Sequence, residues 1–186
     1  LPKDIRPIDD TQVMAGPIFT VSGTPKPGIS ADEALLAWTD FLSTAPSGHI
    51  VVCNGHTDDI ALMGELSAET LQMRGVRGYV TNGGCRDCNF IRNIGFPVFH
   101  RFYTPRDVVG AWSVDKMEVP VQIGEVVVRP GDFLIADIDG AIVISAKIAA
   151  EILAEVEEVM NTENKVRSAI HKGTNPKKAY LNFGRF

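Results

Sequence analysis

The chain has 186 residues, 45% of them hydrophobic and 22% charged, and a formal net charge of −5. That is enough for one compact domain over 1–186 with a sizeable core; the acidic balance leaves no basic stripe for nucleic acid, and no apolar run approaches the ~18 residues of a membrane span. Three cysteines, an odd and small number, fit a reducing compartment better than a disulfide framework, so a cytoplasmic protein is expected.

The opening "LPKDIRPIDD" is charged throughout and unlike a signal peptide. It starts on Leu1 rather than Met, which fits a front segment lying beyond it. Residues 17–23, "PIFTVSG", alternate as a strand, and "PKPG" follows as a turn. Ser30 offers an N-cap for "ADEALLAWTDFL", where Ala34, Leu35, Trp38 and Leu42 recur at helical spacing. "PSG" breaks that helix. "HIVVCNG" (49–55) reads as a buried strand, "HTDD" as a polar loop, and 64–75 as a helix with Leu66, Thr70 and Met73 on one side, closed by Gly75. "GYVTNG" (78–83) is the next strand. The order β-α-β-α-β argues for parallel strands with helical crossovers.

"CRDCNFIRNIG" predicts a short helical turn and "FPVFHRF" (96–102) another strand. The second half changes character: "VPVQIG", "EVVVRPGD", "FLIADIDG" and "AIVIS" are short strands separated by turn residues, as in a β-meander. Ser145 is then the expected cap of a long amphipathic helix. Its apolar side carries Ile148, Ile152, Val156 and Val159 and, after a break, Val166 and Ile170; Gly173 ends it. The tail from Thr174 holds three aromatics. The class is α/β, in one domain.

The stretch "YVTNGGCRDCNF" concentrates the candidate chemistry. Cys85 and Cys88 form a C-x-x-C, yet a structural zinc site needs four ligands and no second pair accompanies them. Arg-Asp between the cysteines is also unlike a thioredoxin-type motif. The glycines match neither a P-loop nor a dinucleotide fingerprint. Glycine at the carboxyl end of a parallel strand does let backbone approach a small ligand, so Gly83 and Gly84 are expected to admit one. Arg86 and Asp87 follow directly, either as a salt-bridged loop pair or as ligand groups. A second loop delivers the start of a helix at Gly64–Ser67, whose free amides suit a carboxylate. Asp87 could hold a divalent ion, since Mg²⁺ is commonly bound through one or two carboxylates.

Other candidates carry less. Asp137 and Asp139 read as a strand end with a capping turn, and His100 as structural. His56 with Asp58 and Asp59 reads as a solvated loop. His171 suits the end of a helix, and Glu157, Glu158 and Glu163 a solvated face.

The spacing from "GELSAETLQMRGVRGYVTNGGCRD" through "GFPVF", "PVQIGEVVVRPGDFLIADIDGAIVI" and "ENKVRSAIHKG" resembles the RraA-like family. That family includes metal-dependent 4-hydroxy-4-methyl-2-oxoglutarate aldolases and oxaloacetate decarboxylases, and also RraA proper, a non-catalytic regulator that inhibits an RNA-processing endonuclease. The resemblance implies an α/β/α sandwich of the swivelling phosphohistidine-domain kind, with a mixed sheet and a long C-terminal helix. It further implies a trimer or dimer of trimers with sites between subunits. By the same resemblance Gly64, Glu65, Leu66 and Ser67 bind a 2-oxo acid substrate, Arg86 contacts it during catalysis, and Asp87 ligates Mg²⁺ or Mn²⁺. Glu163 would reach a neighbouring subunit's site. The implied activity is a class II lyase releasing pyruvate. Phe90 departs from the family, whose aldolases often carry an acid there. Cys85 replaces a plain apolar residue, and "FHRFYTPRDVVGAW" is bulkier than usual, making His100, Arg101 and Tyr103 candidate specificity residues.

Overall fold

The apolar runs Ile50–Asn54 and Gly78–Thr81 are buried along their whole length, and both become central parallel strands. The computed structural model describes residues 1–184. In chain order its elements are β1 (Arg6–Pro7), β2 (Met14–Pro25), α1 (Ala31–Thr44), β3 (Ile50–Asn54), α2 (Glu65–Met73), β4 (Gly78–Thr81), β5 (Gly84–Cys85) and α3 (Cys88–Ile94). Then come β6 (Val98–His100), β7 (Phe102–Tyr103), β8 (Trp112–Met117), β9 (Val121–Ile123), β10 (Val126–Val128), β11 (Phe133–Asp137), β12 (Gly140–Ile144), α4 (Ala149–His171) and α5 (Pro176–Phe183). The chain forms two compact units, Leu1–Ser145 and Ala146–Phe186.

The first unit is built on a mixed sheet ordered β1-β6-β4-β3-β2-β11-β12, with β8 also paired to β2. β2, β3, β4 and β6 run parallel, as the crossover pattern requires, and β11 and β12 form an antiparallel hairpin at the other end. β9 and β10 make a separate hairpin. The short strands of the second half are thus present as expected, but they form two hairpins in different sheets rather than one continuous meander, because β11 pairs with β2 instead of β10. β8 escapes the sequence pattern: Trp112 and Ser113 are buried while Asp115 and Lys116 face outward, and its strand character comes from pairing with β2. The strand expected over 96–102 is two, because β6 pairs with β4 while β7 pairs with the short β5.

Side chains alternate across the sheet and feed two cores. Phe19, Val21, Val51, Cys53 and Tyr79 share one cluster with Trp38, Phe41, Leu42, Ala68, Leu71 and Ile91 of the helices α1–α3. Ile18, Ile50, Val52, Val80 and Phe99 share the other with Val121, Ile123 and Val128 of the β9–β10 hairpin. α1 starts as its sequence dictates: Ser30 Oγ accepts from the Glu33 amide at 3.2 Å, and the Glu33 carboxylate accepts from the Ser30 amide at 3.3 Å, a capping box.

Two helix readings are corrected. In α2 the buried residues are Ala68 and Leu71, whereas Leu66 is 72% and Met73 83% exposed. A nine-residue helix has two candidate apolar stripes, and packing against the sheet selects the smaller side chains. Similarly Leu35 stays 44% exposed while Phe41 takes its place in the core.

In the second unit, α4 begins at Ala149 with Ile148 at the N-cap rather than being capped by Ser145, and it runs unbroken past Val159 to His171. Gly173 (φ 87°) terminates it as expected. Only Val166 of its apolar stripe is buried; Leu153, Val156 and Met160 are exposed. α5 is capped by Asn175, whose side chain accepts from the amides of Lys177 and Lys178, with Pro176 in its first turn. Phe186, the third aromatic of the tail, lies outside the described residues. No helix among the described residues is long and apolar enough to cross a membrane.

Candidate functional site

Backbone pairing assembles the site. The segment leading into α2 lies along β5: the Gly84 amide donates to Ile60 O at 3.0 Å, the Leu62 amide to Gly84 O at 2.9 Å, and the Arg86 amide to Met63 O at 2.9 Å. A third segment joins from the other side, with the Ala61 amide donating to Arg106 O at 2.8 Å and the Thr104 amide to Cys85 O at 3.2 Å. Gly64, Arg86–Asp87 and Asp107 are thereby brought together from three stretches of chain.

Gly64 is the N-cap of α2, and with φ −145° and ψ 178° its backbone is extended, so glycine is not needed for conformation. It is needed for space. A Cβ here would lie 2.8 Å from Arg86 Nε and 2.8 Å from Asp87 Oδ2. Gly83 and Gly84 do not admit a ligand as expected: Cβ atoms there would run into the side chains of Leu62 and Phe102, at 2.5 and 2.6 Å. They permit tight packing inside the fold.

Asp87 adopts the left-handed region (φ 56°, ψ 32°) at the start of α3, a conformation aspartate tolerates better than most residues and one that gathers at functional sites. Its side chain does not cap its own helix. Instead Oδ2 accepts from the Glu65 amide at 3.1 Å, across the N-terminus of α2. Arg86 Nε lies 3.4 Å from the same oxygen, and Arg86 Nη1 lies 2.5 Å from Asp107 Oδ2. All three side chains are between 37% and 39% exposed, so these ion pairs contribute little to stability, about 1 kcal/mol or less each. Their value is positional. The Leu66 and Ser67 amides, in the first turn of α2, have no intrahelical carbonyl to bond.

Asp107 was hidden in the sequence. It sits in "PRDVVG", and the signal that could have exposed it is a second Arg-Asp dipeptide in a loop long enough to return to the first. The nearby specificity candidates fare unevenly. Arg101 Nε is 2.8 Å from Asp4, and His100 is buried with Nδ1 2.8 Å from Phe102 O. Burial holds the His100 pKa below its usual value. Tyr103, stacked edge-on against His100 at 4.4 Å, does line a shallow depression with Arg86, Asp87 and Cys88. Phe90 is 37% exposed on α3.

The cysteines behave as packing groups. Cys85 is fully buried and its thiol pKa is pushed far up by burial; Cys88 is also raised, and Cys53 goes to about 12. Thiols kept protonated are poor nucleophiles and poor metal ligands. Asp137 Oδ1 accepts from the Asp139 amide at 2.9 Å in the β11–β12 turn, as expected of a capping turn. His56, Asp58 and Asp59 are exposed, as expected of a solvated loop, and His56 Nδ1 also lies 3.0 Å from Gly23 O. Glu163 lies on α4 in the second unit and accepts from Arg167 at 2.7 Å.

Among the described residues, no three His, Cys, Asp or Glu side chains gather as a ready metal cage. A cation at this site would rest chiefly on Asp87. The fit is sound for a hard divalent ion: Asp87 Oδ2 is anchored by the Glu65 amide, while no described residue donates to Oδ1. Oxygen donors with open positions suit Mg²⁺ or Mn²⁺.

Comparison with known proteins bears on the family and the fold. The chain is 30% identical over 115 residues, 62% of its length, to an uncharacterised protein of Methanocaldococcus jannaschii, of which it spans 55%. It is 24% identical over 182 residues to the "Putative 4-hydroxy-4-methyl-2-oxoglutarate aldolase" of Halalkalibacterium halodurans, covering 97% of this chain and 83% of that one. In structure it matches Streptomyces coelicolor RraAS2, described as an unusual member of the RNase ES inhibitor RraA protein family. That match has a TM-score of 0.74 and 25% identity, over 88% of this chain and 80% of the other. With residues 1–143 matching the family described as Aldolase/RraA, and with the mixed sheet and long C-terminal helix in place, the chain belongs to the RraA-like family.

Proposed function

We propose that the protein is a divalent-metal-dependent lyase that cleaves a C–C bond of a 2-oxo acid. The reaction would be retro-aldol cleavage of a 4-hydroxy-2-oxo acid, decarboxylation of oxaloacetate, or both, with release of pyruvate. One observation carries this reading: only the missing Cβ of Gly64 allows the N-terminus of α2, the Arg86 guanidinium and the Asp87 carboxylate to converge on one point.

In this arrangement the Leu66 and Ser67 amides and Arg86 hold the substrate's carboxylate and keto oxygens. Asp87 holds the cation, Mg²⁺ or Mn²⁺. When bound, it supplies Lewis-acid stabilisation of the negative charge that cleavage leaves on the keto oxygen. Arg86 adds a preorganised positive charge beside that oxygen. Its pairing with Asp107 limits how far it must reorganise, an effect that can be worth a few kcal/mol. Glu65 contributes its amide, which fixes Asp87 in place. Glu163 of a neighbouring copy brings a carboxylate to the site for proton transfer, so the working form is a closed ring, a trimer or a dimer of trimers. Exposed Leu66, Met73, Leu153 and Met160 support self-association. Light scattering should report a multiple of the chain mass, and a monomer at working concentration would sink the shared-site arrangement.

The test is a screen of 2-oxo and 4-hydroxy-2-oxo acids with added Mg²⁺ or Mn²⁺, following pyruvate with and without chelator. Metal-dependent release supports the lyase, and no release from any acid overturns it. The likeness to RraAS2 favours a second reading, a protein-binding regulator of an RNA-processing endonuclease. Inhibition of such an enzyme by a catalytically silent protein would establish that alternative.

A further inference from the structure

Beside Arg86, between α1 and α2, opens a cleft of about 360 Å³ that shares Gly64, Leu66, Ser67 and Arg86 with the candidate site. The volume falls within the roughly 300–1,000 Å³ range of small-molecule sites. Away from Arg86 its walls are apolar: Leu35, Trp38, Leu42, Met63, Leu66 and Val108. Three of the hydroxyls on the walls already have partners within the protein. Thr39 Oγ1 donates to Leu35 O at 2.8 Å, Thr70 Oγ1 donates to Leu66 O at 2.7 Å, and Ser67 Oγ accepts from Trp38 Nε1 at 2.9 Å.

Charge is confined to one end. Among the described residues lining the cleft, Arg86 is the only cation and Asp107 the only acid, and they are paired at 2.5 Å. Arg74, behind the wall, donates to the carbonyls of Ser43 and Ala45. Arg106, the neighbour of Asp107, is paired with Asp59. A substrate whose carboxylate is held at Arg86 and α2 would extend its far end into a wall where the described residues of this chain leave no free cation to receive a second carboxylate. Burying an unpaired carboxylate there is costly, whereas an alkyl group gains from leaving water.

We propose that this cleft is the subsite for the distal part of the substrate and that it takes an uncharged apolar group. The inference rests on the lyase reading and narrows its substrate class to 4-hydroxy-2-oxo acids with an alkyl or aryl group beyond C4, in preference to dicarboxylates. In the retro-aldol step the C3–C4 bond breaks, the C4 hydroxyl loses its proton as C4 becomes an aldehyde or ketone carbonyl, and C3 gains a proton to give pyruvate. The apolar group therefore leaves as part of an aldehyde or ketone.

A matched pair tests this. 4-Hydroxy-2-oxooctanoate and 4-hydroxy-2-oxooctanedioate differ only in the far terminus, methyl against carboxylate. With Mg²⁺, kcat/KM for pyruvate release is expected to be at least about tenfold higher for the first, the scale set by one misplaced group in an apolar pocket. Thr39→Arg, on the exposed side of α1 at the cleft, adds a cation and is expected to narrow that ratio at least about threefold by raising the dioate. A wild type that uses the dioate as well as or better than the octanoate, or a Thr39→Arg variant with an unchanged ratio, overturns the subsite while leaving the lyase intact. A second arm is independent of turnover. Tryptophan emission, with Trp38 in the wall, should respond to 2-oxooctanoate at lower concentration than to 2-oxooctanedioate, and the reverse order overturns the subsite. Pyruvate from oxaloacetate but from neither hydroxy acid overturns the subsite and leaves the lyase intact, whereas absence of pyruvate from all three acids overturns the lyase reading itself.

Discussion

Replacing Gly64 by alanine isolates the geometry of the site from its stability. The Gly64 backbone is extended, so alanine adopts it without strain and the perturbation is the added methyl alone. That carbon would stand 2.8 Å from Arg86 Nε, 2.8 Å from Asp87 Oδ2 and 3.3 Å from Arg86 Cγ. Both side chains must retreat by roughly half an ångström or more to regain ordinary van der Waals separation. They can do so, being 39% and 38% exposed at fixed backbone, and the stability cost should stay below about 1 kcal/mol. Catalysis has no such slack. A displacement on the order of 1 Å costs up to ~10²-fold, so kcat/KM should fall about 10- to 100-fold, or about 1.4–2.7 kcal/mol of transition-state stabilisation. The assay is pyruvate release over a Mg²⁺ titration, with a thermal melt by circular dichroism on the same samples. A Gly64→Ala protein with wild-type kcat/KM would show that chemistry does not occur between α2, Arg86 and Asp87. One that fails to fold would refute the claim that the cradle can relax.

Asp87→Ala should abolish chelator-sensitive turnover. Losing its hold on the Glu65 amide should cost only about 0.5–2 kcal/mol of stability, measured by denaturant unfolding. Retained chelator-sensitive activity would place the metal elsewhere. Arg86→Lys keeps the charge but loses the planar fork that reaches both Asp87 and Asp107, so activity should drop strongly at unchanged fold. Replacing Cys85 and Cys88 together by Ser should cost about 1–3 kcal/mol, because a hydroxyl enters the fully buried Cys85 position, while metal content and most activity survive. Loss of a stoichiometric zinc on that change would reverse the assignment of these thiols. The Tyr79 hydroxyl is buried without a hydrogen-bond partner among the described residues, so Tyr79→Phe should be neutral or stabilising by up to about 1 kcal/mol; a clear loss in a thermal melt would contradict this.

Sequence alone determined the elements whose signals are local. "IVVCN" and "GYVT" are continuous apolar runs bounded by breakers, and a strand buried on both faces demands that pattern. Ser30 and Gly173 mark helix ends through contacts within one turn. The proximity of Gly64–Ser67 to Arg86–Asp87 was also legible, since two successive parallel crossovers deliver their loops to the same end of the sheet. Tertiary structure decided what depends on which atoms meet across the chain. Gly64, and not Gly83 or Gly84, is the glycine that opens the cradle, because Leu62 and Phe102 already fill the space beside the other two. α2 buries Ala68 and Leu71 and exposes Leu66 and Met73, because in so short a helix either stripe satisfies the period and only the fit against the sheet chooses. Asp107 becomes the partner of Arg86 through backbone pairing of residues 104–106 with Cys85 and Ala61. A carboxylate's distant cation leaves no periodic trace in sequence; the fold alone sets their separation.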